Sequence, residues 1–161
     1  MNPWFKKPLA TSVLAEAPVY FVSASAAIHA SAEQVWDLIK PAEKGPLLSP
    51  DVVCGFRAPN IEGRGEIQVF ISVRAGVEQV SAVEVVEEIP QEMAIVRKLG
   101  EEDPAGRLQY SISVDDAGTT HLDVGQYFTL PAEESDNLAR YEQHYKLGCQ
   151  QYVERVRALL E

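Results

Sequence analysis

The side chains best suited to chemistry lie near the C-terminus, on a stretch with the period of an α-helix. Tyr141, Tyr145 and Tyr152 fall on one helical stripe, and His144 and Gly148 lie beside it. Phenol and imidazole groups can exchange hydrogen bonds or protons with a small molecule. Glycine inside a helix costs about 1 kcal/mol relative to alanine and leaves room for a neighbouring group. This helix therefore suits the wall of a cavity better than the centre of a solid core.

The stripe is apolar at both ends, which predicts one long amphipathic helix over residues 134–160. Its members are Leu138, Tyr141, Tyr145, Cys149, Tyr152, Val156 and Leu159. Acidic residues precede it and Arg155 and Arg157 lie near its end, an arrangement that suits the helix dipole. The alternative is that the tyrosines are ordinary core aromatics and that His144 faces solvent, since aromatic residues at helical spacing usually indicate packing.

The elements that must position this helix begin with a strand over residues 19–29, whose even-numbered residues are expected to face inward. Residues 31–34 match a capping box and predict a helix that starts at Ser31. Trp36 lies on the buried stripe of that helix and is a candidate for the cavity wall. Pro41 ends the helix, and a second short helical turn is predicted before Leu48.

Residues 52–130 show the signals of about six strands in hairpin succession, which predicts an antiparallel sheet. Between residues 66 and 74 the apolar side chains alternate with Glu66, Gln68 and Arg74, so we expect these three polar residues to face solvent. On the last strand the same rule turns His121 outward and makes Gln126 the best polar candidate for the cavity. The acidic residues Glu84, Glu87, Glu88 and Glu92 are expected on a solvated surface.

The order of the elements predicts an α+β fold. In it, a curved antiparallel β-sheet of about seven strands wraps around a long C-terminal α-helix, with one or two short helices after the first strand. A strongly curved sheet closed by a single helix does not easily fill its own interior, so we expect a cavity. Residues 19–161 would form this domain. Residues 1–18 would form an N-terminal arm whose Trp4 and Phe5 dock on the domain or on a second subunit of a homodimer.

The net charge of −10 argues against nucleic acid as a partner and against stable insertion into an anionic membrane. No run of 18 apolar residues is present. The two cysteines and three histidines show no metal-ligand spacing, so neither a metal nor another cofactor is expected. The cysteine usage favours a reducing, cytoplasmic setting.

The pattern resembles the START-related helix-grip superfamily, often labelled SRPBCC, which includes polyketide cyclase/dehydratase-like proteins. The most specific local match is H-A-S-A-E-Q-V-W-D-L-I at residues 29–39, and the terminal helix ends Y-V-E-R-V-R-A-L-L at residues 152–160. The resemblance covers residues 19–160. It implies a deep, mainly apolar cavity used for lipids, sterols, polyketides or aromatic molecules. It offers no shared catalytic motif, so no catalytic residue is assigned.

Three functions compete. The first is binding or transport of a hydrophobic or aromatic small molecule in a cavity between the sheet and the C-terminal helix. The second is a polyketide cyclase/dehydratase-type enzyme, with a tyrosine or His144 as the acid-base group. The third is a protein-interaction module. The residues expected to contact a ligand are Trp36, Gln126, Tyr141, His144, Tyr145, Gly148 and Tyr152.

Overall fold

The computed structural model describes residues 17–101 and 105–161, so residues 1–16 of the predicted arm lie outside the described part. The α+β helix-grip fold is confirmed: a seven-stranded antiparallel sheet, two short helices and one long helix. The elements are β1 (Val19–Ile28), α1 (Ala32–Ile39), a 3-10 turn (Ala42–Lys44), α2 (Gly45–Leu48), β2 (Val52–Arg57), β3 (Ile67–Arg74), β4 (Val77–Ile89), β5 (Met93–Lys98), β6 (Arg107–Val114), β7 (Thr120–Thr129), a 3-10 turn (Ala132–Asn137) and α3 (Leu138–Leu160).

The strands lie in the order β1-β7-β6-β5-β4-β3-β2, so β2 to β7 form a meander and β1 crosses over to pair with β7. The β1–β7 ladder runs without interruption from Val19 opposite Thr129 to Ile28 opposite Thr120. Helix α3 packs chiefly on β1 and β7, whereas α2 and the first 3-10 turn pack on β2. The inner faces of the central strands are therefore left without a long helix over them.

The first strand and helix form as the sequence predicts. Val22, Ala26 and Ile28 of β1 are buried, which confirms the inward parity. The Ser31 hydroxyl accepts a hydrogen bond from the backbone N–H of Gln34 at 3.1 Å. In return, the side-chain oxygen of Gln34 accepts one from the backbone N–H of Ser31 at 2.9 Å. This capping box satisfies two backbone donors that the helix cannot satisfy internally.

The terminal helix is 23 residues long and begins at Leu138, because the residues before it form a 3-10 turn rather than α-helix. Its buried residues are Cys149, Val153 and Val156, and Leu159 is 37 % exposed. The predicted stripe is therefore wrong at its last member. With 3.6 residues per turn, the buried face passes from Val153 and Val156 to the half-buried Leu160.

The predicted orientation of β3 is wrong at its first residues. Glu66, directly before the strand, is 1 % exposed and Gln68 is 6 % exposed, while Val73 of the apolar set is 38 % exposed. The buried polar groups have hydrogen-bond partners: the Gln68 side-chain nitrogen donates to the backbone carbonyl oxygen of Lys40, directly after α1, at 2.9 Å and to the Glu66 carboxylate at 2.7 Å. These hydrogen bonds offset the desolvation that otherwise keeps such groups at the surface.

Glu88 is a second correction. The β4–β5 register shifts between Val85 and Glu87, and Glu88 then lies opposite the buried Ala94. An extra residue in one strand moves the side chains after it to the other face of the sheet. The bulge turns Glu88 inward, where its side chain is 13 % exposed and lies 3.0 Å from the ammonium of Lys40.

Gly55 in β2 and Gly148 in α3 allow a matched test of local packing, since one lies against the backbone and the other in open space. A Cβ at Gly55 would lie 2.0 Å from the carbonyl oxygen of Ala42, so Gly55→Ala must displace backbone and should lower the free energy of unfolding by about 1–3 kcal/mol. A Cβ at Gly148 would meet nothing within 4 Å, so Gly148→Ala should raise it by up to about 1 kcal/mol. Urea denaturation measures both, and equal midpoints for the two variants would contradict this packing.

Candidate ligand-binding cavity

A cavity of about 470 Å³ lies between the inner face of the sheet and the three helices. Small-molecule sites in proteins commonly have volumes of about 300–1,000 Å³. Most of the wall is apolar, and its main apolar residues are Ile39, Phe70, Val83, Ala94, Val96 and Leu108. Helix α3 packs on β1 and β7 and α2 packs on β2, and the cavity lies along the strands between them.

Four of the seven residues expected at the site line the cavity: Trp36, Gln126, Tyr145 and Tyr152. Tyr141 is half-buried and packs on the cluster formed by Val22, Phe128 and Leu130, outside the cavity lining. His144 and Gly148 are exposed, and no strand approaches Gly148. The structure thus brings together two tyrosines, one glutamine and one tryptophan. Their contact with a ligand stays a prediction.

Tyr110 of β6 also faces the cavity, beside Tyr152, and was not among the residues expected there. The two rings lie 5.6 Å apart between centroids. Burial is the main cause that raises the pKa of Tyr110 to about 12 and that of Tyr152 well above its usual value. Both phenols are therefore neutral hydrogen-bonding groups at physiological pH. The signal for Tyr110 was its place between Leu108 and Ile112, the inward positions of β6.

The solvent-facing rim of the cavity carries Lys98, Glu101 and Tyr145. The Lys98 ammonium lies 2.7 Å from a Glu101 carboxylate oxygen, and both side chains are exposed. Burial, followed by the negative charge of Glu101, raises the pKa of Tyr145. The rim thus presents a closed ion pair and a neutral phenol.

At the end of α1, Lys40 reaches the cavity wall within a polar network. Its ammonium lies 3.0 Å from Glu66 and 3.0 Å from Glu88. The Glu88 Oε2 atom is buried and lies close to Lys40 without an aligned hydrogen bond. Because two carboxylates face one ammonium, the lysine charge is fully balanced at this wall.

Residues 17–101 and 105–161 show neither a metal-binding group nor a membrane-spanning helix. The described histidine, cysteine and acidic side chains form no group of three that could hold a metal ion. None of the described helices is both long enough and apolar enough to cross a membrane.

Comparisons with known proteins bear on the fold. No family model matches the sequence, and no curated protein matches it. Solved structures do match: the Zhui aromatase/cyclase from Streptomyces sp. R1128 superposes with a TM-score of 0.65 at 16 % identity, over 89 % of this chain and 94 % of that one. Ara h 8.0201 matches with a TM-score of 0.59 at 12 % identity, over 89 % of this chain and 98 % of that one.

A third match is the di-domain ARO/CYC BexL from the BE-7585A biosynthetic pathway, with a TM-score of 0.69 at 12 % identity. The alignment covers 89 % of this chain and 50 % of BexL. At such identities the likeness concerns the fold. The chain has the helix-grip fold, as the resemblance at residues 29–39 and 152–160 implied.

The raised pKa of Tyr110 predicts how stability depends on alkaline pH. Its value of about 12 in the folded protein exceeds the usual value of 10, so the unfolded chain releases this proton first. The contribution of Tyr110 is complete below pH 10 and is lost as pH rises towards 12. We expect the free energy of unfolding to fall over this interval, and to fall less in Tyr110→Phe. Denaturant titrations at pH 9, 10 and 11 measure the free energy of unfolding of both proteins. The same decrease of this free energy with pH in the wild type and in Tyr110→Phe would refute the prediction.

Proposed function

We propose that the protein binds, and carries, a hydrophobic or aromatic small molecule in the cavity between the sheet and α3. The observation that supports the proposal best is the cavity itself, about 470 Å³ in volume, with a mainly apolar wall. Filling such a wall with an apolar ligand removes hydrophobic surface from water, which is the main source of affinity in sites of this type. The few polar side chains would orient the ligand.

The type of ligand expected follows from the side chains that line the cavity. Aromatic side chains, Trp36, Phe70, Tyr110 and Tyr152, line it together with aliphatic residues, so flat aromatic rings could stack on them. The aromatase/cyclases and Ara h 8.0201 have the same fold, which is compatible with this proposal and does not by itself choose a ligand.

A cavity-filling variant tests the proposal. Ser81 of β4 lines the cavity, so Ser81→Phe should occupy part of it and weaken binding of the neutral apolar dye Nile red at least about tenfold, the effect of losing about 1.4 kcal/mol. Ser25 of β1 is exposed on the opposite face of the sheet, so Ser25→Phe makes the same change outside the cavity and should leave binding unaltered. Dye fluorescence measures both affinities.

Equal dye binding by the wild type and Ser81→Phe would place the dye elsewhere and count against the proposal. Mass spectrometry of solvent extracts from the purified proteins gives an independent readout. A compound that co-purifies with the wild type and with Ser25→Phe, and is depleted in Ser81→Phe, would be the cargo. Its addition should raise the melting temperature of the wild type.

A second candidate function is an enzyme of the cyclase/dehydratase type. Tyrosine hydroxyls on the cavity wall favour it, since a neutral phenol can act as a general acid towards a bound carbonyl compound. Tyr145 is the group at the rim, half-buried with a raised pKa. His144 is exposed and lies outside the cavity lining, so it is poorly placed for the acid-base role that the sequence suggested.

The enzyme hypothesis makes a distinct prediction with a soluble poly-β-ketone thioester as substrate. Tyr145→Phe should slow turnover at least about a hundredfold, the lower range for general acid catalysis, while binding changes little. His144→Ala on the same helix should leave turnover unchanged. Product formation by liquid chromatography is the readout. No turnover by the wild type, or equal turnover by Tyr145→Phe, would rule out this role.

A further inference from the structure

We propose that the cavity selects uncharged ligands that carry a hydrogen-bond-accepting oxygen, such as aromatic ketones, and that Tyr110 is the donor that recognises this oxygen. The inference rests on the proposed binding function. It adds the chemical class of the ligand and the residues that discriminate it from apolar acids and from plain hydrocarbons.

Tyr110 lies on the cavity wall beside Tyr152, with the two ring centroids 5.6 Å apart. A phenol carries one donor proton and accepts hydrogen bonds at its oxygen. Burial raises the pKa of Tyr110 to about 12, so its hydroxyl keeps this proton at physiological pH. Tyr110 can therefore donate a hydrogen bond to an acceptor in the cavity.

The strand side chains next to Tyr110 on the cavity wall are apolar. Tyr110 lies on the cavity wall, directly opposite the buried Ala94 in the β5–β6 ladder, and Val96 and Leu108 are nearby lining residues. None of these three side chains can accept a hydrogen bond. A polar donor that faces apolar groups gains free energy when a ligand supplies an acceptor, and a ligand without one leaves the donor unpaired. The wall therefore favours a ligand with an oxygen at this point.

The charged groups of the cavity wall are already paired with one another. Lys40 and Lys98 are the cations among the described residues that line the cavity. The ammonium of Lys40 already faces Glu66 and Glu88, and that of Lys98 faces Glu101. Three carboxylates thus balance two ammonium groups. A ligand carboxylate would have to give up its hydration without meeting a free cation, which is strongly unfavourable in an apolar cavity.

Three probes with one ring skeleton separate these contributions: 9-fluorenone, fluorene and 9-fluorenone-4-carboxylate. Equilibrium dialysis against the full-length protein gives each dissociation constant. We expect fluorenone to bind about tenfold more tightly than fluorene, the value of one neutral hydrogen bond. The carboxylate should bind at least about tenfold more weakly than fluorenone, because it meets no free cation.

Tyr110→Phe should abolish the difference in affinity between fluorenone and fluorene, because the donor that distinguishes them is gone. Fluorene binding at least as tight as in the wild type would show that the cavity is intact. Tyr20→Phe is the matched control: Tyr20 packs on Phe128 outside the cavity lining, so its removal of a hydroxyl should alter no probe. Glu101→Gln should strengthen binding of the carboxylate by about two- to fivefold at low salt, as release of an exposed ion pair allows, with fluorenone unchanged.

Wild-type affinity for fluorenone in Tyr110→Phe would overturn the role of Tyr110, and a carboxylate that binds as tightly as the ketone would overturn the charge selection. Both results leave the proposed binding function standing, since the probes would still be bound. Failure of all three probes to bind the wild type would count against the binding function itself.

Discussion

The packing of α3 against β1 and β7 is the contact on which the cavity depends. Leu122 of β7 and Val153 and Val156 of α3 are fully buried in one cluster with residues of β1 and α1. This cluster holds the last element of the chain to the first strand and therefore places α3 at one side of the curved sheet. The inner faces of β4 and β5 therefore border the cavity instead of packing against a helix. If α3 lay over the middle of the sheet, its side chains would fill the interior.

The polar groups around that space fall into two classes with different consequences. Lys40, Glu66 and Glu88 form a buried charge network that joins the end of α1 to the sheet. Pairing makes such burial tolerable, and removal of Lys40 would leave two carboxylates without their shared ammonium. The tyrosines are neutral groups with hydrogen-bonding capacity towards the cavity. The charged groups at the cavity are thus paired with one another, whereas the uncharged hydroxyl donors face the cavity. This difference is the physical basis for expecting an uncharged ligand.

The sequence was most informative where burial and periodicity agreed. In β1 and β7 the apolar alternation correctly indicated the inner face, so Gln126 was found on the cavity wall. In β3 the alternation was real, yet the apolar side faces outward and Gln68 faces inward. One hydrogen-bond partner of the Gln68 side chain is the backbone carbonyl of Lys40, 28 positions earlier in the chain. No local pattern contains that information.

By itself, the sequence determined the order of the elements, the antiparallel sheet, the capping box at Ser31 and the helical stripe that carries Tyr145 and Tyr152. These follow from propensity and period, which act over a few neighbouring residues. Only the tertiary structure decided which part of each face meets the cavity. It paired Tyr152 with Tyr110, left His144 and Gly148 in solvent, and turned Glu88 inward through a bulge. Such choices depend on contacts between distant segments: period shows which residues share a face, and packing decides what that face meets.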